Sequence, residues 1–149
     1  MLNSTRDVPP LSPHDRALAA LKGEEGYRRH PYPDTGDTLA IGYGHNLHRR
    51  GLSQRQAAWL LADTLQELRE ALVQRRPDTW ARMSAGRQAA LLEMAYQLGV
   101  NGVLGFVRMW QALERGQWRK AAAEMRDSKW ARDDTPGRAE RVIARFLKG

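Results

Sequence analysis

At 149 residues and 42% apolar content, the chain is long enough for one compact domain, or two small lobes sharing an element, and too apolar for wholesale disorder. It contains no cysteine, which excludes disulfide frameworks and thiolate metal sites and fits a reducing cytosol. The net charge of +7 is unevenly placed, with ten Lys/Arg against five Asp/Glu in residues 115–149; such a face attracts polyanions, nucleic acid and an anionic cell envelope among them, although a solvated basic helix face has the same composition.

Residues 1–13 lack the apolar run of roughly 7–15 residues that marks a secretory signal, and no later stretch approaches a transmembrane span. A soluble protein is expected, whose targets beyond the cytoplasm are reached by lysis or with help.

The first predicted helix starts at Ser12, a good N-cap, with Pro13 at N1 and Asp15 completing a capping-box-like pattern. Ala17, Leu18 and Leu21 repeat at helical spacing up to Glu25, and Gly26 is a natural stop. Pro31 and Pro33 then exclude helix, and the turn Asp34-Thr35-Gly36-Asp37-Thr38 leads into Leu39, Ile41 and Tyr43, which alternate as a strand does. A small hairpin or three-stranded ribbon is predicted here.

Ser53 caps a long second helix, with Ala57, Leu60, Leu61, Thr64, Leu65, Leu68 and Leu72 in one stripe and Arg75-Arg76-Pro77 as its end. At about 1.5 Å per residue it spans roughly 30 Å, enough to link the ribbon lobe to a helical lobe. Residues 85–98 are apolar nearly all round, through Ala89, Leu91, Leu92, Met94, Ala95 and Leu98, as suits a central helix. Gly99, Gly102 and Gly105 break the next stretch. Further helices are predicted near 106–115, 117–128 and 136–148, the last with Thr135 as N-cap and Pro136 at N1. There is no internal repeat and no low-complexity tract.

Two carboxylates draw attention. Glu25 stands at a helix C-terminus, where the macrodipole disfavours negative charge; a partly buried glutamate there has the raised pKa that a general acid needs. Asp34 lies nine residues on, at the mouth of the ribbon. Inverting glycosidases hold such a pair about 6.5–9.5 Å apart, with room for a water. Spacing alone is a weak sign, because Asp34-Thr35-Gly36 reads equally as an ordinary turn.

The surrounding residues say more. Glu25-Gly26 at a helix end, Tyr32-Pro33-Asp34 and Ile41-Gly42-Tyr43-Gly44-His45 resemble the signature of the phage-type lysozymes, glycoside hydrolase family 24. The likeness continues through AALLEMAYQLGVNGVLGF (89–106) and AAAEMRDSKWARDDTPGRAERV (121–142), covering roughly residues 15–148. It implies an α+β, mainly α, lysozyme-like fold, with a small β-hairpin lobe and a helical lobe joined by a long helix. The corresponding division is one domain over 1–149: catalytic helix and ribbon in 12–52, linking helix in 53–76, helical lobe in 84–149.

The resemblance also assigns roles. Glu25 matches the general acid that protonates the glycosidic oxygen, and Asp34 the residue that assists the attacking water or stabilises oxocarbenium-like charge. The family has a water-holding threonine six residues after the aspartate, where this chain has Ala40. Strand alternation makes Thr38 the only nearby hydroxyl on the same face, roughly 6–7 Å along the strand and too far for an equivalent bond, so Asp34 is expected to position water alone and less well. Arg138 matches an arginine that approaches and orients the acid, and Gln97 a glutamine on the cleft-lining helix; both are expected substrate-binding positions.

Other residues invite plainer readings. Gly42 and Gly44 permit close packing of strand on helix, and His45 reads as a satisfied structural histidine. No HExxH or His/Cys cluster supports a metal site, and no cofactor is expected. The five tryptophans read mostly as core or interface, Trp130 as packed in the helical lobe; Asp37 and Glu24 read as solvated.

The function implied is a peptidoglycan-degrading muramidase, an endolysin hydrolysing the β-1,4 bond between N-acetylmuramic acid and N-acetylglucosamine, with Ala40 at the usual threonine position expected to impair it. Alternatives are a lytic transglycosylase, in which a substrate hydroxyl replaces water, and an inactive peptidoglycan-binding homologue. The expected partners are bacterial peptidoglycan and anionic envelope polymers. No recognised motif points to nucleic acid, and a monomer is the family's default. An endolysin waits in the host cytoplasm until a holin-type pore releases it to the wall in the periplasm.

Overall fold

The computed structural model describes residues 12–149. They fold in the chain order α1 (Pro13–Glu25), β1 (Arg28–Pro33), β2 (Leu39–Gly42), β3 (His45–Asn46), α2 (Leu47–Arg50), α3 (Gln54–Arg75), α4 (Pro77–Arg82), α5 (Ala85–Leu104), α6 (Val107–Glu114), α7 (Trp118–Arg126), a π-helical turn (Trp130–Asp134) and α8 (Pro136–Lys148). A mainly helical chain with one small sheet is the α+β class the resemblance implies. The chain separates into two compact units, Met1–Ala57 and Ala58–Gly149, with the boundary inside α3.

In the first unit, α1 begins as its sequence dictates. Ser12 Oγ accepts the Asp15 amide at 3.2 Å, and its hydroxyl donates to the Asp15 carboxylate at 2.6 Å. That bond, aided by His14, lowers the Asp15 pKa. Gly26 ends the helix at φ 69°, ψ 151°, a region open essentially to glycine alone. The ribbon is an antiparallel sheet in the order β1-β2-β3, with Tyr32 opposite Ala40, Pro33 opposite Leu39 and Ile41 opposite His45. Pro31 and Pro33 both lie in β1, an edge strand, where a missing amide is tolerated.

The second unit carries the main core. Leu91, Met94, Met109, Trp110, Leu113, Met125, Ile143 and Phe146 are fully buried there. Leu72 anchors the end of α3, whereas Leu60 and Leu61 of the predicted stripe are exposed. Ala89, expected on the central helix's buried surface, is also exposed. Trp80, Trp110 and Trp130 are buried, but Trp59 is 64% exposed and departs from the core reading.

Helix ends show where local reading succeeds. Ser53 and Gln56 form a reciprocal capping box, with Ser53 Oγ accepting the Gln56 amide (3.2 Å) and Gln56 Oε1 accepting the Ser53 amide (2.8 Å). Among the three glycines after α5's first turns, Gly99 breaks the helical conformation (φ 71°, ψ 165°), Gly102 stays helical and Gly105 caps the end. Thr135 departs from expectation: its side chain makes no cap bond, because its hydroxyl donates to Gln97 Oε1 at 3.3 Å.

Candidate active site

In the first unit the end of α1 is fixed to the β2–β3 turn. The rings of Tyr27 and Tyr43 lie 5.6 Å apart, and Lys22 Nζ stands 5.9 Å from the centre of the Tyr43 ring. Between these contacts the Glu25 carboxylate abuts Gly44 so closely that a Cβ on residue 44 would lie 2.9 Å from Glu25 Oε2. The Glu25 side chain is exposed, not partly buried as the helix-end argument anticipated. The two glycines of the signature thus have different reasons to be glycine. Gly44 meets the acid at φ +73°, whereas Gly42 has open space around it and needs only its φ of +67°.

Asp34 sits at the tip of the β1–β2 hairpin. Its amide donates to the Thr38 carbonyl (2.7 Å), and the Asp37 amide donates to the Asp34 carbonyl (3.2 Å), closing a tight turn. Asp37 takes φ +56°, a left-handed conformation that Asp tolerates better than most residues. The carboxylate is held from one side. Oδ1 accepts the Thr35 amide at 2.7 Å and the Thr35 hydroxyl at 3.3 Å. Charge-assisted bonds of this kind fix a carboxylate's orientation and leave Oδ2 available.

Ala40 is 1% exposed, in mid-ribbon between Tyr32 and Asn46. Thr38 Oγ1 accepts Asn46 Nδ2 at 2.7 Å, which ties that side chain to β3. The hydroxyl that reaches Asp34 is that of Thr35, which sequence reasoning passed over in favour of Thr38. Its position directly after the aspartate in a turn was the available signal.

The neighbouring histidines brace the ribbon. His45 Nε2 lies 2.6 Å from the Gly51 carbonyl; a carbonyl only accepts, so Nε2 carries the proton. This is the structural role expected of His45. His48 Nδ1 accepts the Leu39 amide at 3.0 Å, so its proton sits on Nε2.

Gln97 and Arg138 belong to the second unit. Gln97 Oε1 accepts Trp130 Nε1 at 3.2 Å as well as the Thr135 hydroxyl, and its Nε2 donates to the Glu93 carbonyl at 3.3 Å. The amide therefore joins α5, the π-helical turn and the start of α8. Trp130, buried as expected, helps line a cleft of about 500 Å³ with Leu98, Phe106 and Met109, rimmed by Lys129 and Asp134. Arg138 is exposed on the first turn of α8, with its amide on the Thr135 carbonyl (3.1 Å).

Residues 22–144 match the family model described as phage lysozyme. The chain belongs to that family. Its relatives include a Dictyostelium discoideum protein named "Probable T4-type lysozyme 1", 30% identical over 83% of this chain and 89% of that protein. A second, named "Probable T4-type lysozyme 2", is 24% identical over 87% of this chain and 92% of its own length. The pre-baseplate central spike protein Gp5 of Enterobacteria phage T4 is 28% identical over 97% of this chain, which spans only 29% of the length of that spike protein. The phage lysozyme match contains Glu25, Asp34, Ala40, Gln97 and Arg138.

Proposed function

We propose that this phage lysozyme family member is a peptidoglycan-lytic muramidase that hydrolyses the β-1,4 bond between N-acetylmuramic acid and N-acetylglucosamine. The observation that carries the reading is the Glu25 carboxylate lodged against the Gly44 turn, on the same small ribbon whose hairpin tip orients Asp34. Glu25 donates its proton to the glycosidic oxygen as that bond breaks. Asp34, with Oδ1 occupied by Thr35, uses Oδ2 to direct water to the anomeric carbon or to offset its positive charge. Water supplies the new C–O bond, and its proton returns to a carboxylate. Gln97 and Arg138 contact the substrate, Gln97 beside the apolar cleft that Trp130 lines. The chain acts after release from the host cytoplasm through a holin-type pore, as a monomer.

A second reading has an observation in its favour. Ala40 offers no hydroxyl, and Thr38 Oγ1 accepts from Asn46, so the site lacks the water-directed bond that a threonine at position 40 would supply. A lytic transglycosylase, in which the muramic C6 hydroxyl attacks the anomeric carbon, needs no such water.

Glu25→Gln tests the role of the acid. General acid catalysis is worth about 10²–10⁴-fold, so the folded variant should lose wall lysis by at least the lower figure with an unchanged melting temperature. Clearing at the wild-type rate would remove Glu25 from the mechanism.

A further inference from the structure

In the second unit, α6 and α7 are joined by the tight turn Arg115-Gly116-Gln117. The amides of Arg115 and Gln117 donate to the Ala112 carbonyl (3.2 and 2.9 Å), that of Gly116 donates to the Leu113 carbonyl (3.0 Å), and Gly116 takes φ +67°. Beside this turn lies a cleft of about 270 Å³, lined by Arg108, Gln111, Arg115, Lys120 and Glu124. That is just under the roughly 300–1,000 Å³ typical of sites for drug-sized ligands, and it suits a single small group.

The charges nearby are not balanced. Arg126 is paired with Glu140, Arg132 with Asp127, Lys129 with Asp134 and Arg145 with Glu93. Arg108, Arg115 and Lys120 form no ion pair among the described residues, and Glu124 is the one carboxylate sharing their cleft. Three like charges thus line one cleft and repel one another.

We propose that this cleft is a binding site for a phosphate group borne on a polyol-phosphate polymer. Two guanidinium forks and an ammonium offer more donors than the two oxygens of a carboxylate can use, whereas phosphate oxygens accept from several directions. Glu124 can only accept, and Gln111 can do either; both suit the hydroxyls of a polyol beside the phosphate. A compact cleft grips one group at a time, so a repeating polymer gains by rebinding through its neighbours. The site shows no row of stacking aromatics of the kind that binds single-stranded nucleic acid. That the polymer belongs to a cell envelope rests on the lytic reading above; the phosphate chemistry rests on the cleft.

The test is an NMR titration of the full chain with inorganic phosphate, glycerol 3-phosphate, poly(glycerol phosphate) and duplex DNA. Glycerol 3-phosphate should give saturable shifts confined to α6, α7 and their turn. The polymer should bind at least roughly tenfold more tightly than either small probe, through avidity. The triple variant Arg108→Gln, Arg115→Gln, Lys120→Gln should weaken polymer binding at least tenfold. A charge-matched control, Arg69→Gln, Arg75→Gln, Lys148→Gln, should bind nearly as well as wild type. Equal losses in the two triples, shifts elsewhere on the chain, or no saturation would overturn the site. Tighter binding of DNA than of the polymer, or equal binding of free phosphate, would overturn the polymer as its ligand. Cleavage of an uncharged soluble wall oligosaccharide, measured in parallel, should be the same in wild type and both triples; its absence from all three would sink the lytic reading without touching the phosphate result.

Discussion

Gly44 and Glu25 make a sharper pair than the two carboxylates do. Gly44→Ala places a methyl 2.9 Å from Glu25 Oε2, and a carboxylate at the end of a flexible side chain yields by swinging away. The backbone cost at positive φ is about 1–2 kcal/mol, and Gly42→Ala should incur a similar cost without touching the acid. Turnover should therefore fall roughly tenfold to a hundredfold in Gly44→Ala, since about 1 Å of misplacement can cost that much, and far less in Gly42→Ala. Steady-state rates of the two variants, set against their melting temperatures, separate the effects; equal losses of activity would mean the contact with Glu25 is incidental. Ala40→Thr returns a hydroxyl to a site with 1% exposure. Rates should rise at least about tenfold, or 1.4 kcal/mol of barrier, while stability falls by about 1–3 kcal/mol for overpacking. An unchanged rate of water-dependent cleavage would show that Asp34 and Thr35 already hold the water. The places of Glu25 and Asp34, at a helix stop and in a proline-bracketed turn, were legible locally, whereas the roles proposed for them came from the family resemblance and not from the spacing. The contact of Glu25 with Gly44 spans 19 residues of chain, and no local periodicity encodes it.

Among the elements, helix starts with an unchallenged cap residue were readable. Ser12 and Ser53 each bond to amides of their own helices. Thr135 had the same credentials, but a second acceptor, Gln97, captured its hydroxyl. Pro77 was read as the end of α3, and it also opens α4 as an N1 residue; the same missing amide serves either purpose. Across α7 and α8, Arg126 and Glu140 form a two-bond bridge (3.1 and 2.8 Å). The guanidinium lowers the Glu140 pKa from its ordinary 4.5. The bridge's contribution is therefore complete above that ordinary value and is lost as pH falls through the lowered folded one. Thermal melts from neutral to acid pH should show Glu140→Gln losing less stability than wild type across that window. Parallel curves would mean the exposed bridge contributes nothing, a common outcome for surface pairs.

On the scale of the whole molecule, the surplus of positive charge and membership of the phage lysozyme family fit the target proposed above, an anionic peptidoglycan wall. Charge raises encounter and retention, and salt screens it beyond about 8–10 Å, but neither identifies the bond broken. The chemical identity of the cut ends does. Purified peptidoglycan digested with the full chain, and analysed by mass spectrometry, should yield muropeptides with reducing N-acetylmuramic acid ends, each carrying the mass of one added water. Muropeptides ending in 1,6-anhydro-N-acetylmuramic acid would contradict hydrolysis and establish the transglycosylase reaction, and an undigested wall that still retains the chain would contradict both.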